Sequence, residues 1–246
     1  MTPSHSFVVI CEGSGDQKIA AAIATRVLSD LADWTSSTSF RFRGLDDNED
    51  FSSWAGLKSR AGEVPRRSGF KEGATLDGAA TWRALHLAQR ANPDGVILVR
   101  DADNQSGRLA SIIDGVRAAR TSGVTQPVAV GVAVAKIEAW LLAAQSADGQ
   151  TRAALRQELG FDPITQAELL RATDDPDAKL SAKRVLAALC GIQEAIEQLS
   201  EAPFDKLLKD GRNTGLPEFM REIRCELGTT LATHIEDTDW CRCAER

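Results

Sequence analysis

The sequence predicts an α/β fold: a mostly parallel central sheet flanked by helices, with a helical C-terminal region. Three observations carry that prediction. Short apolar runs at 7–11, 95–99 and 128–134 recur with helical stretches between them, and strands alternating with helices favour a parallel sheet. The runs are continuously apolar, as expected of strands covered on both faces. Past about residue 148 helix follows helix, with no strand pattern among them.

The first run, Phe7-Val8-Val9-Ile10-Cys11, meets Glu12 and then Gly13-Ser14-Gly15-Asp16. The glycines permit a tight turn from strand to helix. Ile19, Ile23, Val27 and Leu31 recur at spacing four, with Leu28 on the same face, which predicts a helix over 17–31 with Asp16 as its N-cap. Phe40-Arg41-Phe42-Arg43 alternates as a short strand does. The stretch to about residue 72 reads as a loop or insertion. It is acidic first (Asp46, Asp47, Glu49, Asp50) and then basic (Arg60, Arg66, Arg67, Lys71). The basic cluster reads equally as a solvated loop and as a phosphate contact.

A helix follows over 76–91, with Trp82, Leu85 and Ala88 near one face. Asn92-Pro93-Asp94-Gly95 is a turn, and 96–99 a central strand. The next helix covers 109–119 and ends at Ser122-Gly123. After the third run, 137–144 begins another. Helices are then predicted over 151–160, 165–172, 179–190, 192–200 and 217–227. The expected division is an α/β domain over 1–147 and a helical region over 148–246.

At 246 residues the chain can bury a sizeable core. With 43% hydrophobic and 26% charged residues, its composition is that of a soluble globular protein. No apolar run approaches the ~18 residues of a membrane span. The first residues lack the basic and long apolar segments of a signal peptide, so a cytoplasmic location away from membranes is expected. The five cysteines are odd in number and scattered, which argues against a disulfide framework. Cys225, His234, Cys241 and Cys243 match no zinc spacing, and free thiols are expected. The net charge of −6 argues against a strongly basic nucleic-acid coat. A local basic patch can still sit within an acidic total. The histidines His5, His86 and His234 show no catalytic spacing. There is no G-x-S-x-G, so an α/β-hydrolase reading fails. Trp34, Trp54 and Trp82 could stack bases, with packing the commoner role, and Trp140 reads as core.

All three apolar runs lead into acids. Glu12 follows the first, Asp101 and Asp103 the second, and Glu138 lies shortly after the third. Ligands of open parallel sheets bind outside the carboxyl ends of the strands. Carboxylates gathered there repel one another unless a cation sits among them. A divalent-metal site is therefore the first functional hypothesis. Magnesium takes one or two protein carboxylates directly. Asp101 and Asp103 share a face of a regular strand and at its terminus could converge on one ion. Glu12 would add a ligand or a general base, and Glu138 would complete a second site or order water. In two-metal nucleases the ions sit ~3.5–4 Å apart and stabilise both the attacking and the leaving oxygen.

These residues resemble a known family. Ile10-Cys11-Glu12-Gly13-Ser14-Gly15-Asp16 resembles the first motif of Toprim domains, in the form found in OLD-type nucleases. Val99-Arg100-Asp101-Ala102-Asp103-Asn104 is similar to the Toprim DxD. Ala135-Lys136-Ile137-Glu138-Ala139-Trp140-Leu141-Leu142 resembles a stretch of small Toprim-like proteins, and 177–186 is similar to their helical tail. The resemblance covers motif islands over roughly 6–145 and the tail more loosely. It implies Mg²⁺- or Mn²⁺-dependent phosphodiester chemistry, with one or two ions, on DNA first and RNA second. Glu12 would be general acid/base or metal ligand, Asp101 and Asp103 metal ligands, and Asp16 and Glu138 helpers of a second metal. Lys183, with Lys136 and Lys179 as further candidates, would stabilise charge on a phosphate. The family's settings imply defence against phage or plasmid DNA beside a separately encoded ATPase, with oligomeric state open. This chain has no ATPase domain and no GxxxxGK[ST].

Two other readings stand beside this one. The chain could be a non-cleaving Toprim-like subunit that senses nucleic acid or a nucleotide within a complex. It could instead use Gly13-Ser14-Gly15 as a phosphate loop at a helix N-terminus. Glu12 and Asp16 would repel that phosphate unless a metal intervened.

Overall fold

The computed structural model describes residues 5–32, 37–64, 76–146, 149–173, 175 and 177–231. The fold is α/β, as expected, with a mostly parallel five-stranded sheet and helices toward the C-terminus. The strands are β1 (His5–Cys11), β2 (Phe40–Arg43), β3 (Ser52–Ser53), β4 (Gly95–Asp101) and β5 (Val128–Ala133). Their order is β2–β1–β4–β5, and β3 also pairs with β1. β1 runs parallel to β2, β3 and β4, in register Phe7↔Gly95 through Ile10↔Leu98 with β4. Between β4 and β5, Val96 N–H donates to Pro127 O (2.9 Å) and Ala102 N–H to Ala133 O (2.7 Å). The partners advance together, so this pair is parallel too. Phe7, Val8, Val9, Ile10 and Cys11 are all fully buried, as are Val96, Ile97 and Leu98. Successive strand side chains point to opposite faces, so both faces are covered where these runs lie.

Two compact units partition the chain, and they interleave along it. The first comprises the described residues of Met1–Val99, Ser106–Val130 and Arg221–Arg246; the second comprises those of Arg100–Gln105 and Gly131–Met220.

In the first unit, α1 (Ser14–Leu31) begins three residues before the expected start. Gly13 takes the cap position in extended backbone, and Asp16 sits inside the first turn. Asp16 is therefore not the N-cap; its carboxylate reaches back to the cap's own backbone instead. α2 (Leu76–Ala91) and α3 (Arg108–Thr121) pack closely because two glycines let them. A Cβ on Gly115 would lie 2.5 Å from Gly78 O and 2.6 Å from Thr81 Cβ. Their contact also buries an ion pair, Arg108 Nε to Asp77 Oδ2 at 3.1 Å.

The second unit holds α4 (Glu138–Leu142), α5 (Gly149–Leu159), α6 (Ala182–Leu189), α7 (Ile192–Glu201), α8 (Phe204–Asp210) and the start of α9 (Leu216–Glu226). α4 packs on α6 and α7. Trp140 is fully buried, stacks on Phe219 at 5.1 Å between centroids, and donates its indole N–H to Thr214 O at 2.8 Å. The helix expected over 165–172 is only a 3₁₀ turn, Ala167–Leu169. Leu170 turns extended, and Arg171 N–H donates to Leu180 O, which draws the chain out of the helix. α8 went unpredicted. It is one short turn-pair after Pro203 that buries Leu207, too brief to show a period.

Other expectations resolve locally. Trp54 and Trp82 are buried, and the Trp54 indole N–H donates to Val99 O, so both pack. Cys11 and Cys190 are free thiols. Arg60 is ion-paired with Glu63 and Asp46. Trp34, Arg66, Arg67, Lys71, His234, Cys241 and Cys243 lie outside the described residues. No described helix is long and apolar enough to cross a membrane.

Candidate functional site

The first unit carries Glu12 and Asp16 in the turn that ends β1. The end of the strand is fixed by Trp54 N–H, which donates to Cys11 O at 3.2 Å. Glu12 is exposed and Asp16 half-buried. Asp16 Oδ2 accepts from the backbone N–H groups of both Glu12 and Gly13, each at 3.1 Å. A glycine cap has no side chain to return the bond, so only the carboxylate half of a capping box is present. The arrangement also suits the helix dipole, which favours an acid in the first turn. Burial, then the charges of Asp16 and Glu12, push the Cys11 thiol up to about 12.

The second unit carries Asp101, Asp103, Glu138 and Lys183. Asp101 is the last residue of β4 and only 6% exposed. Ile137 N–H donates to its Oδ1 at 2.9 Å, and the Lys136 ammonium lies 3.1 Å from its Oδ2. After Asp101 the chain does not continue as a strand. Gln105 N–H closes a turn on Ala102 O at 2.8 Å, and Asp103 and Asn104 sit at φ of +47° and +60°. Two consecutive non-glycine residues in the left-handed region are uncommon, and Asp and Asn are the types that tolerate it. The turn aims Asp103 Oδ1 at the same ammonium, 3.2 Å away. Asp101 and Asp103 thus converge, as the sequence suggests, but through a left-handed turn and not through strand alternation.

Lys136 is the residue whose part the sequence did not reveal. Its side chain is 12% exposed, between Ala135 and Ile137, which are buried. Burial by itself would lower its pKa. The carboxylates of Asp101 and then Asp103 more than offset this and hold it above the ordinary lysine value. The available signal was a lysine between two apolar residues just after the third apolar run.

Glu138 begins α4 and is buried, and its Oε1 lies 3.5 Å from the Lys183 ammonium, which is largely exposed. Lys183 stands on the first turn of α6, whose cap Ser181 accepts from Arg184 N–H. Lys183 is therefore placed beside an expected metal ligand. Lys179 shows no contact that bears on these acids.

A hard divalent ion is matched by oxygen donors, and magnesium usually takes one or two carboxylates from protein. Asp101 and Asp103 fit in kind, in number and in convergence. In spacing they lie about 1 Å beyond the ~2.1 Å of a magnesium bond, and the point they share is held by an ammonium. Among the described residues, no group of three or more His, Cys, Asp or Glu is gathered to hold a metal ion. No protein-family model, curated protein or solved structure matches this chain.

Proposed function

We propose that the chain is a metal-dependent phosphodiesterase of Toprim type, cleaving DNA first and RNA second. One observation carries this reading: Asp101 Oδ2 and Asp103 Oδ1 lie 3.1 and 3.2 Å from a single cationic centre at the end of a buried parallel strand. Ligands of such sheets are held at strand ends. Asp101 and Asp103 are the residues that would hold Mg²⁺ or Mn²⁺. When bound, the ion lowers the pKa of a coordinated water and neutralises charge on phosphate oxygens.

The chain's own residues supply the remainder. Ile137 N–H fixes the Asp101 carboxylate, so one oxygen is oriented and the other is left toward the cation. The family resemblance gives Glu12 the role of general acid/base, which would take the proton of the attacking water. As water oxygen bonds to phosphorus, the phosphorus–oxygen bond to the leaving group would break, and that oxygen would leave with the proton the base took up. Lys183 offers positive charge to a phosphate oxygen. Action against phage or plasmid DNA beside a separate ATPase rests on family analogy.

Plasmid and short single-stranded DNA incubated with Mn²⁺ or Mg²⁺ provide the test. Cleavage is expected with metal, none with chelator, and none from Asp101→Asn of unchanged circular dichroism. Robust cleavage by the Asp101→Ala, Asp103→Ala double variant sinks the reading. A second reading, a non-cleaving subunit of a nucleic-acid-sensing complex, is favoured by the ammonium of Lys136 already neutralising both acids. It predicts no Asp101-dependent metal binding in calorimetry.

A further inference from the structure

We propose that Lys136 is a tethered cation that occupies the metal position between Asp101 and Asp103 and must leave before a divalent ion binds. The inference rests on the proposed metal role of those two acids and assigns the residue that regulates it.

Geometry comes first. One nitrogen lies within 3.2 Å of an oxygen from each acid, so ion and ammonium compete for one place. Asp101 and the Lys136 side chain are both largely buried. Two carboxylates so close would repel strongly with nothing between them. The lysine therefore lets the chain fold without metal. It is also removable: a lysine carries its charge on a flexible four-carbon stem and binds as a point charge. Asp101 stays aimed when the ammonium leaves, because Ile137 N–H holds the other oxygen at 2.9 Å. Asp103 stays aimed because its turn is closed by backbone, Gln105 N–H to Ala102 O.

A consequence follows for affinity. When only a fraction of molecules has the competent arrangement, apparent affinity falls by that fraction. The ammonium-out state is such a fraction. A phosphate group arriving at the site gives the ammonium a new anionic partner, so phosphate and metal should each favour the other.

Calorimetric Mn²⁺ titration of the full chain tests this, with wild type, Lys136→Met, Lys136→Gln and Lys136→Met combined with Asp101→Asn. We expect Lys136→Met and Lys136→Gln to bind Mn²⁺ at least tenfold tighter than wild type, and the combined variant to lose the gain. Equal or weaker binding by both lysine variants, with Asp101-dependent binding in wild type, overturns the tethered-cation role and leaves the metal site standing. No Asp101-dependent binding in any of them removes the metal reading itself, and this inference with it. Wild type alone gives a second readout should the lysine variants fail to fold. Thymidine 3′,5′-bisphosphate should tighten Mn²⁺ binding at least fivefold beyond its own measured chelation of the ion; no such gain overturns the proposal.

Discussion

Asp16 is held by two backbone N–H groups, whereas Asp101 and Asp103 are held by the ammonium of one side chain. Both arrangements neutralise acid at the end of a buried strand. They differ in what can be exchanged. Backbone donors are part of the turn, and removing them means unfolding it. An ammonium on a flexible stem can be replaced by another cation while the backbone stays put. The turn after β1 is thus fixed by its own geometry, and the turn after β4 is charged in a replaceable way. Glu138 with Lys183 is a weaker version of the second kind, since Lys183 is 61% exposed.

The largest effect should come from Asp101→Ala. It takes from Lys136 the nearer of its two carboxylates, leaving Asp103, and removes the acceptor of the Ile137 N–H. Leaving a buried charge wholly uncompensated costs about 3–5 kcal/mol; with Asp103 still beside the ammonium, urea unfolding should read a loss toward the lower end of that range. A loss under about 1 kcal/mol would mean that Lys136 finds water easily, and the contrast between the two turns would collapse. Asp101→Asn should cost less, because its amide oxygen can still accept from Ile137.

The turn that aims Asp103 comes next. Asn104 sits at φ +60°. Asn104→Val would carry a β-branched residue in the left-handed region, where the cost is roughly 1–2 kcal/mol per residue. Asn104→Gly should be neutral or stabilising at the same position. Thermal unfolding of the pair separates backbone strain from lost side-chain contacts: both variants lose the amide, and only the valine should unfold earlier.

Asp16→Ala tests the other side of the comparison. Losing a helix-terminal capping carboxylate costs about 1 kcal/mol. Its effect should be insensitive to Mn²⁺, because the Glu12 and Gly13 N–H groups it accepts from are part of the backbone. A Mn²⁺-dependent effect would instead connect Asp16 with an ion, as the family resemblance implies.

These turns also show what a sequence can disclose. The strands were legible because 7–11 and 96–99 are continuously apolar, and burial on both faces demands that. Helix α2 was legible to the residue, its end marked by the Asn92-Pro93-Asp94-Gly95 turn. α1 began earlier than its apolar period because backbone hydrogen bonding, not side-chain burial, set its first turn. The DxD pair was visible as two letters. The left-handed turn that aims it was not, because Asp and Asn tolerate that conformation without requiring it. Lys136 was visible as one of three lysines that could meet a phosphate, not as the cation between the two acids. Its role depends on a tertiary fact, that the residues after β5 lie against the end of β4, shown by Ala102 N–H bonding to Ala133 O. Spacing along the chain does not encode that neighbour.

The smallest effect, and the sharpest use of the comparison, is expected from Lys183→Met. Its ammonium is largely solvated and 3.5 Å from Glu138. Ion pairs with an exposed partner contribute about 0–1 kcal/mol. Glu138 is buried, but it keeps its place in the first turn of α4, where the backbone favours an acid. The loss should therefore be under about 1 kcal/mol in low salt. It should vanish in 1 M NaCl, where the Debye length is about 3 Å. Lys136→Met should behave oppositely under the same salt series. Its partner Asp101 is buried and little screened, so its stability change should persist in 1 M NaCl and respond to Mn²⁺ instead. If both lysine variants showed the same salt dependence, the acids of the second unit would be held alike, and Lys136 would be one more surface charge.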